Sequence, residues 1–305
     1  MSEEYLWNRG GEPDADVVHL ENVLGKLRWA GRARRRWPRW TWIAAAAAAA
    51  AAILAVGIGV RTARPVTSWR LSVTGEKPTA VRAGQVITHG TIESEFVGEV
   101  QVEPDSRLRL LRARDGEHRL ALDHGTIHAL IWAPPTQFVV DTPSAKTVDL
   151  GCRYTLRVTQ DGAGFLTVET GWVAFEWKNL ESFIPAGAAC TTRPGRGPDT
   201  PHFLDAPETL IASVARFDQT QDPQALHAAL GAARPRDALT LWHLLERTRG
   251  QERAEVLARF GALVSLPHSV TREAILSGDR KAMDVAWDAL QLGDTSWWRG
   301  WKRQW

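Results

Sequence analysis

The stretch FLTVETGWVAFEW, residues 165–177, decides the fold class. Apolar and polar side chains alternate on both sides of the dipeptide Thr170-Gly171, which is typical of a tight turn. The alternating apolar positions are Leu166, Val168, Val173, Phe175 and Trp177. This pattern predicts two half-buried antiparallel strands joined by a short turn.

The same pattern extends over residues 66–200, with turn signals such as Asp115-Gly116, Asp161-Gly162 and Gly125. Further predicted strands cover residues 70–74, 99–103, 108–112, 119–122, 127–132, 137–141 and 154–158. The sequence therefore predicts a mainly β fold, an antiparallel β sandwich or roll.

Six segments in order resemble the FecR domain. They are residues 102–110, 120–127, 138–142 (FVVDT), 148–156 (VDLGCRYTL), 168–173 (VETGWV) and 184–187 (IPAG). The resemblance implies a FecR-like β domain on the periplasmic side of a membrane. It also implies a sensor that regulates a cytoplasmic sigma factor of the extracytoplasmic-function type. Cys152 stands where the family has a threonine.

Residues 40–60 contain no charged side chain. As a helix they would span about 31 Å, which matches the hydrocarbon core of a bilayer. Trp40 and Trp42 lie where an interfacial aromatic belt is expected. Lys and Arg number seven in the 15 residues before Trp40 and three in the 15 after Val60. We predict a transmembrane helix with the N-terminus in the cytoplasm, in preference to a buried helix or a cleaved signal peptide.

Residues 1–39 then form a cytoplasmic segment. Asp14 or Asp16 is a candidate helix cap. A one-sided apolar stripe follows at Val17, Leu20, Leu24 and Leu27. A short helix of this kind gains stability mainly by packing. We predict that the stripe binds a partner, either the sigma factor or the lipid surface.

Cys152 and Cys190 are the only thiols in the chain. Both follow the predicted membrane segment and would lie on the oxidising side. We predict a disulfide between them, with two buried free thiols as the alternative.

From residue 205 to 305 the apolar period becomes helical, which predicts a C-terminal α-helical subdomain. Asp222-Pro223 is expected to cap a helix. At its end, Trp297, Trp298, Trp301 and Trp305 recur among basic residues. These tryptophans either contact a membrane interface or pack onto the helices.

No P-loop, GxSxG, HExxH or paired CxxC motif is present. We therefore expect no enzymatic activity and no cofactor. A net charge of +2 argues against a nucleic-acid partner. His118, His124 and His128 are near one another in sequence, but isolated strand histidines are commoner than a metal site. The predicted function is a single-pass inner-membrane regulator of a sigma factor, with a C-terminal periplasmic domain. The alternative is an envelope scaffold that binds a glycan or another envelope protein.

Overall fold

We describe a computed structural model, which places residues 15–25 and 68–293. The chain divides into two compact units, Met1–Arg64 and Pro65–Trp305. In the first unit the structure describes helix α1, Ala15–Gly25, which overlaps the predicted amphipathic helix.

The described part of the second unit begins with sixteen strands. They are β1 Arg70–Ser72, β2 Thr79–Ala80, β3 Val86–Ile87, β4 Gly90–Ser94, β5 Gly98–Val102, β6 Arg107–Arg114, β7 Glu117–Ile131, β8 Phe138–Asp141, β9 Lys146–Asp149, β10 Arg153–Val158, β11 Gly164–Thr170, β12 Trp172–Trp177, β13 Leu180–Pro185, β14 Ala188–Arg193, β15 Gly197–Pro198 and β16 His202–Phe203.

Strand β7 connects the two halves of this β structure. Its first half pairs with β6 and β8, and its second half pairs with β5 and β10. The change of partners falls at Gly125, which has a φ of 103°. A Cβ atom at this position would lie 2.4 Å from the Cα atom of Ser106. Only glycine fits this bend, because the left-handed backbone and the neighbouring chain both exclude a side chain.

We expect Gly125→Ala to lower the free energy of unfolding by at least about 2–3 kcal/mol, since it adds overpacking to backbone strain. Gly116→Ala is the matched control. Gly116 also has a positive φ, 76°, but its Cβ would meet no atom within 4 Å. Gly116→Ala should lower the free energy of unfolding by about 1 kcal/mol. Equal losses for the two variants in urea unfolding would contradict this account of Gly125.

The predicted antiparallel sandwich or roll is wrong in its topology. Strand β8 runs parallel to β7, with His118 opposite Phe138 and Ala121 opposite Asp141. The described strands therefore form one large mixed sheet, whose main order is β13-β12-β9-β8-β7-β10-β11-β14-β15.

Helices follow the sheet. They are α2 Glu208–Thr220, α3 Pro223–Ala232, a 3₁₀ turn Pro235–Asp237, α4 Ala238–Arg247, α5 Gly250–Leu263, α6 Arg272–Ser277 and α7 Arg280–Asp288. The predicted cap of α3 is confirmed, because the Asp222 side chain accepts a hydrogen bond from the backbone N–H of Gln224. Pro223 occupies the first helical position, where its missing N–H costs nothing.

The helices and the sheet share one hydrophobic core. The indole of Trp287 on α7 packs edge-to-face on Phe183 of β13, at 5.1 Å between ring centroids. His243 on α4 accepts a hydrogen bond at Nε2 from the backbone N–H of Phe183, at 3.0 Å. Its Nδ1 donates to the Leu239 carbonyl, at 2.9 Å. Burial and the charge of Arg247 lower the pKa of His243 to about 3, so the ring is neutral and fixed in one tautomer.

The structure also corrects the membrane prediction. Within residues 15–25 and 68–293, no helix is long and apolar enough to cross a membrane. The longest helix described, α5, has 14 residues and spans about 21 Å, short of the roughly 30 Å of a bilayer core. The predicted transmembrane helix over residues 40–60, with Trp40 and Trp42, lies outside the described residues. No helix that the structure describes supports the predicted single-pass fold class or the predicted inner-membrane location.

Candidate functional site

Helix α1 carries the apolar stripe on which the predicted partner contact rests. Leu20, Val23 and Leu24 are 60%, 50% and 55% exposed. Their i, i+3, i+4 spacing places them on one face of the helix. None of the side chains described for α1 is buried. The helix therefore presents a continuous aliphatic surface.

Two of the four predicted contact residues, Leu20 and Leu24, lie on this exposed face. Val17 belongs to α1, and Leu27 lies outside the described residues. Val23 was missed by the sequence analysis. Its position three residues after Leu20 was the signal that would have added it to the stripe.

The predicted disulfide is wrong, because Cys152 and Cys190 are both free and buried. Cys190 on β14 lies opposite Leu166 of β11, whereas Arg153, next to Cys152, lies opposite Thr170 of the same strand. Four residues of β11 separate these positions, which is about 13 Å along the strand. A disulfide needs Cα atoms within about 7 Å.

Cys152 instead belongs to a buried polar cluster at the turn between β9 and β10. Its thiol donates a hydrogen bond to the carboxyl group of Asp149, and the N–H of Gly151 donates to the same group at 2.7 Å. Burial raises the pKa of Asp149 to about 7. Burial, followed by the charge of Asp149, raises the pKa of the Cys152 thiol, so this thiol is protonated and a poor nucleophile.

Tyr154 completes this cluster. Its hydroxyl is buried and has no hydrogen-bond partner among the residues that the structure describes. Burial raises the pKa of the phenol, and the neighbouring Asp149 and Cys152 raise it further. The cluster can therefore hold or release a proton at Asp149 near neutral pH, while Cys152 and Tyr154 stay protonated.

The three histidines considered for a metal do not converge. His118 is buried beside Trp69, with ring centroids 6.1 Å apart. His128 contacts Glu103 and Thr155 through its two ring nitrogens. His124 contacts the carbonyl oxygen of Asp105 at 3.1 Å. In the described ranges, no three His, Cys, Asp or Glu side chains form a group that could hold a metal ion.

The FecR-like segments all fall on strands or on the turns between them. Residues 120–127 lie within β7, and residues 138–142 cover β8. Residues 168–173 contain the turn between β11 and β12, where Gly171 has a φ of 76°. The tryptophans predicted for a membrane interface, Trp297, Trp298, Trp301 and Trp305, lie outside the described residues.

Comparisons with known proteins identify no family. No protein-family model matches the sequence. No curated protein matches it either. Among solved structures, two crystal structures of a candidate anti-sigma factor from Parabacteroides distasonis are similar to this chain, each with a TM-score of 0.31 and 15% sequence identity. Each match covers 44% of this chain and 62% or 61% of the solved chain. A similarity of this size assigns neither a family nor an activity to the protein.

Proposed function

We propose that this protein regulates a sigma factor by binding it through the exposed face of α1, formed by Leu20, Val23 and Leu24. The observation that carries the proposal is the exposure of these three side chains, each at least 50%. The class of partner comes from the FecR-like segments of the sheet, which resemble a family of sigma-factor regulators.

The size of the apolar face sets the affinity that we expect. Burying three aliphatic side chains contributes about 1.5–3 kcal/mol each, or roughly 5–9 kcal/mol in total. Ordering an 11-residue helix and losing free translation oppose this gain. A dissociation constant on the order of micromolar is therefore expected, which suits a reversible switch.

The test measures binding of the full chain to the extracytoplasmic-function sigma factor encoded nearest to its gene. Leu20→Asp/Leu24→Asp should weaken binding at least about tenfold, because two charges would be buried without partners. The matched control is Val18→Asp/Asn22→Asp, which adds the same two charges on another side of the same helix. This control should bind within about threefold of wild type.

Circular dichroism of both variants checks that the fold is kept. If the stripe variant binds as tightly as the control, the stripe is not the contact. If wild type captures no sigma factor, the proposal fails.

A second candidate is a binding module without a sigma partner. It is favoured by Phe96 and Trp132, each 53% exposed beside the turn between β4 and β5. The indole N–H of Trp132 donates to the Glu95 carbonyl at 2.9 Å, which fixes the ring in place. Such fixed aromatic surfaces are typical of sites that bind proteins or glycans. We would favour this candidate if the wild-type chain captures no sigma factor.

A further inference from the structure

A polar cavity of about 300 Å³ lies where the helices meet the sheet. The turn between β12 and β13 forms one wall. The end of α4, the start of α5 and the turn between α6 and α7 form the others. Three arginines contribute to its lining: Arg249, Arg253 and Arg280.

Arg253 is the central group, because its side chain is charged and only 6% of the residue is exposed. Its Nε donates to the Thr248 carbonyl at 2.9 Å, and its Nη1 donates to the Leu276 carbonyl at 3.1 Å. Both acceptors are neutral, so they orient the guanidinium without neutralising it. Gly278 makes room for it, since a Cβ atom there would lie 2.9 Å from Nη1.

The two other arginines add positive charge. Arg249 and Arg280 are exposed, and neither forms an ion pair with the residues that the structure describes. Burial lowers the pKa of Arg253, the charge of Arg249 lowers it further, and the charge of Glu246 acts in the opposite direction. The guanidinium groups of Arg249 and Arg253 are therefore close enough to repel each other.

Two carboxylates, Glu181 and Glu246, also line the cavity. Each of them has other contacts in the molecule. Three positive and two negative side chains leave a net charge of +1 on the lining. A bound anion would offset the repulsion between the arginines. It would also accept hydrogen bonds from several of their guanidinium N–H groups at once.

We propose that this cavity binds a small oxyanion, a phosphate or carboxylate group, held by Arg249, Arg253 and Arg280. Guanidinium groups match such groups in shape and charge and bind them through paired hydrogen bonds. The ligand would connect the sheet to the helices, because the cavity walls come from both. The lining residues named for this cavity include none from α1, so the proposal stands independently of sigma-factor binding.

The experiment titrates the full chain with inorganic phosphate and, in parallel, with acetate, at constant ionic strength set with sodium chloride. Calorimetry should show saturable binding of one anion, with a dissociation constant on the order of millimolar. The same anion should raise the unfolding temperature above its value in chloride alone. Phosphate alone would identify a phosphate site, and acetate alone a carboxylate site.

Arg249→Gln/Arg280→Gln should weaken binding at least about tenfold, because it removes two charge-assisted contacts. Both side chains are exposed, so the variant should fold. Arg153→Gln/Arg272→Gln removes the same charge from exposed positions outside the cavity and should bind like wild type. No saturable binding of either anion, or equal loss in both variants, would overturn the proposal.

Discussion

Replacing Trp242 with alanine is expected to lower the free energy of unfolding by about 3–5 kcal/mol, as for other large aromatic truncations in a core. Trp242 on α4 is 2% exposed. Its ring packs edge-to-face on Trp287 and His243, at 4.9 and 5.0 Å between centroids. Its indole N–H donates to the Met283 carbonyl at 2.9 Å. The substitution removes the packing and leaves that carbonyl without its buried donor.

The matched control is Trp132→Ala, which removes the same side chain from the surface. Trp132 is 53% exposed and makes one hydrogen bond, to the Glu95 carbonyl. Trp132→Ala should lower the free energy of unfolding by about 1 kcal/mol. Chemical denaturation followed by circular dichroism measures both variants. If Trp242→Ala costs no more than Trp132→Ala, Trp242 is not packed between α4 and α7 as described.

Asp149 is expected to make the protein lose stability as the pH rises toward neutrality. The pKa of this carboxyl is about 7 in the folded protein, against an ordinary value of 3.8. Below pH 3.8 both states hold the proton, and the contribution to stability is fully present. It is lost as the pH rises from 3.8 to about 7, because the unfolded chain releases this proton in that range while the buried carboxyl keeps it, and the loss is complete once both states are ionised. At about 1.4 kcal/mol per pH unit, the loss reaches roughly 4 kcal/mol.

Asp149→Asn should remove this dependence, because the amide does not titrate and its oxygen can still accept the Gly151 N–H. The variant should match wild type near pH 4 and be more stable than wild type at pH 8. Asp161→Asn, at an exposed turn, should keep the wild-type slope. Denaturation across pH 4–8 measures all three proteins. A wild-type slope in Asp149→Asn would show that the loss of stability does not come from Asp149.

Alternation and turn dipeptides located most of the longer strands of the sheet. Strand β12 has the predicted bounds, Trp172–Trp177, because alternation and the Thr170-Gly171 turn are both local signals. Gly125 shows the limit of such signals. It was taken as a turn between two strands, whereas the chain continues through it as the single strand β7. A glycine marks an unusual φ, but only the strands on either side decide whether the chain turns back.

Features set by distant parts of the chain were not predictable. No local residue pattern marks the parallel pairing of β7 with β8, since parallel and antiparallel strands share the same alternation. The two-residue strands β2 and β3 are too short to show a period. The disulfide was inferred from the number of cysteines and their expected oxidising surroundings, and the register of β11 keeps the two thiols apart. At the candidate site, Leu20 and Leu24 were predictable because a helical stripe is local, whereas the cavity lined by Arg253 joins segments from the sheet and four helices.

The position of β7 among its partners has a consequence for synthesis on the ribosome. Two of its four main partners, β5 and β6, precede it in the chain, and the other two, β8 and β10, follow it. A nascent chain that ends at Ile131 therefore has an open edge on each half of β7. From Ile131 to Val158, the end of β10, is 27 residues (158 − 131). At roughly 5–20 residues per second, translation leaves these edges open to other chains for about 1–5 s.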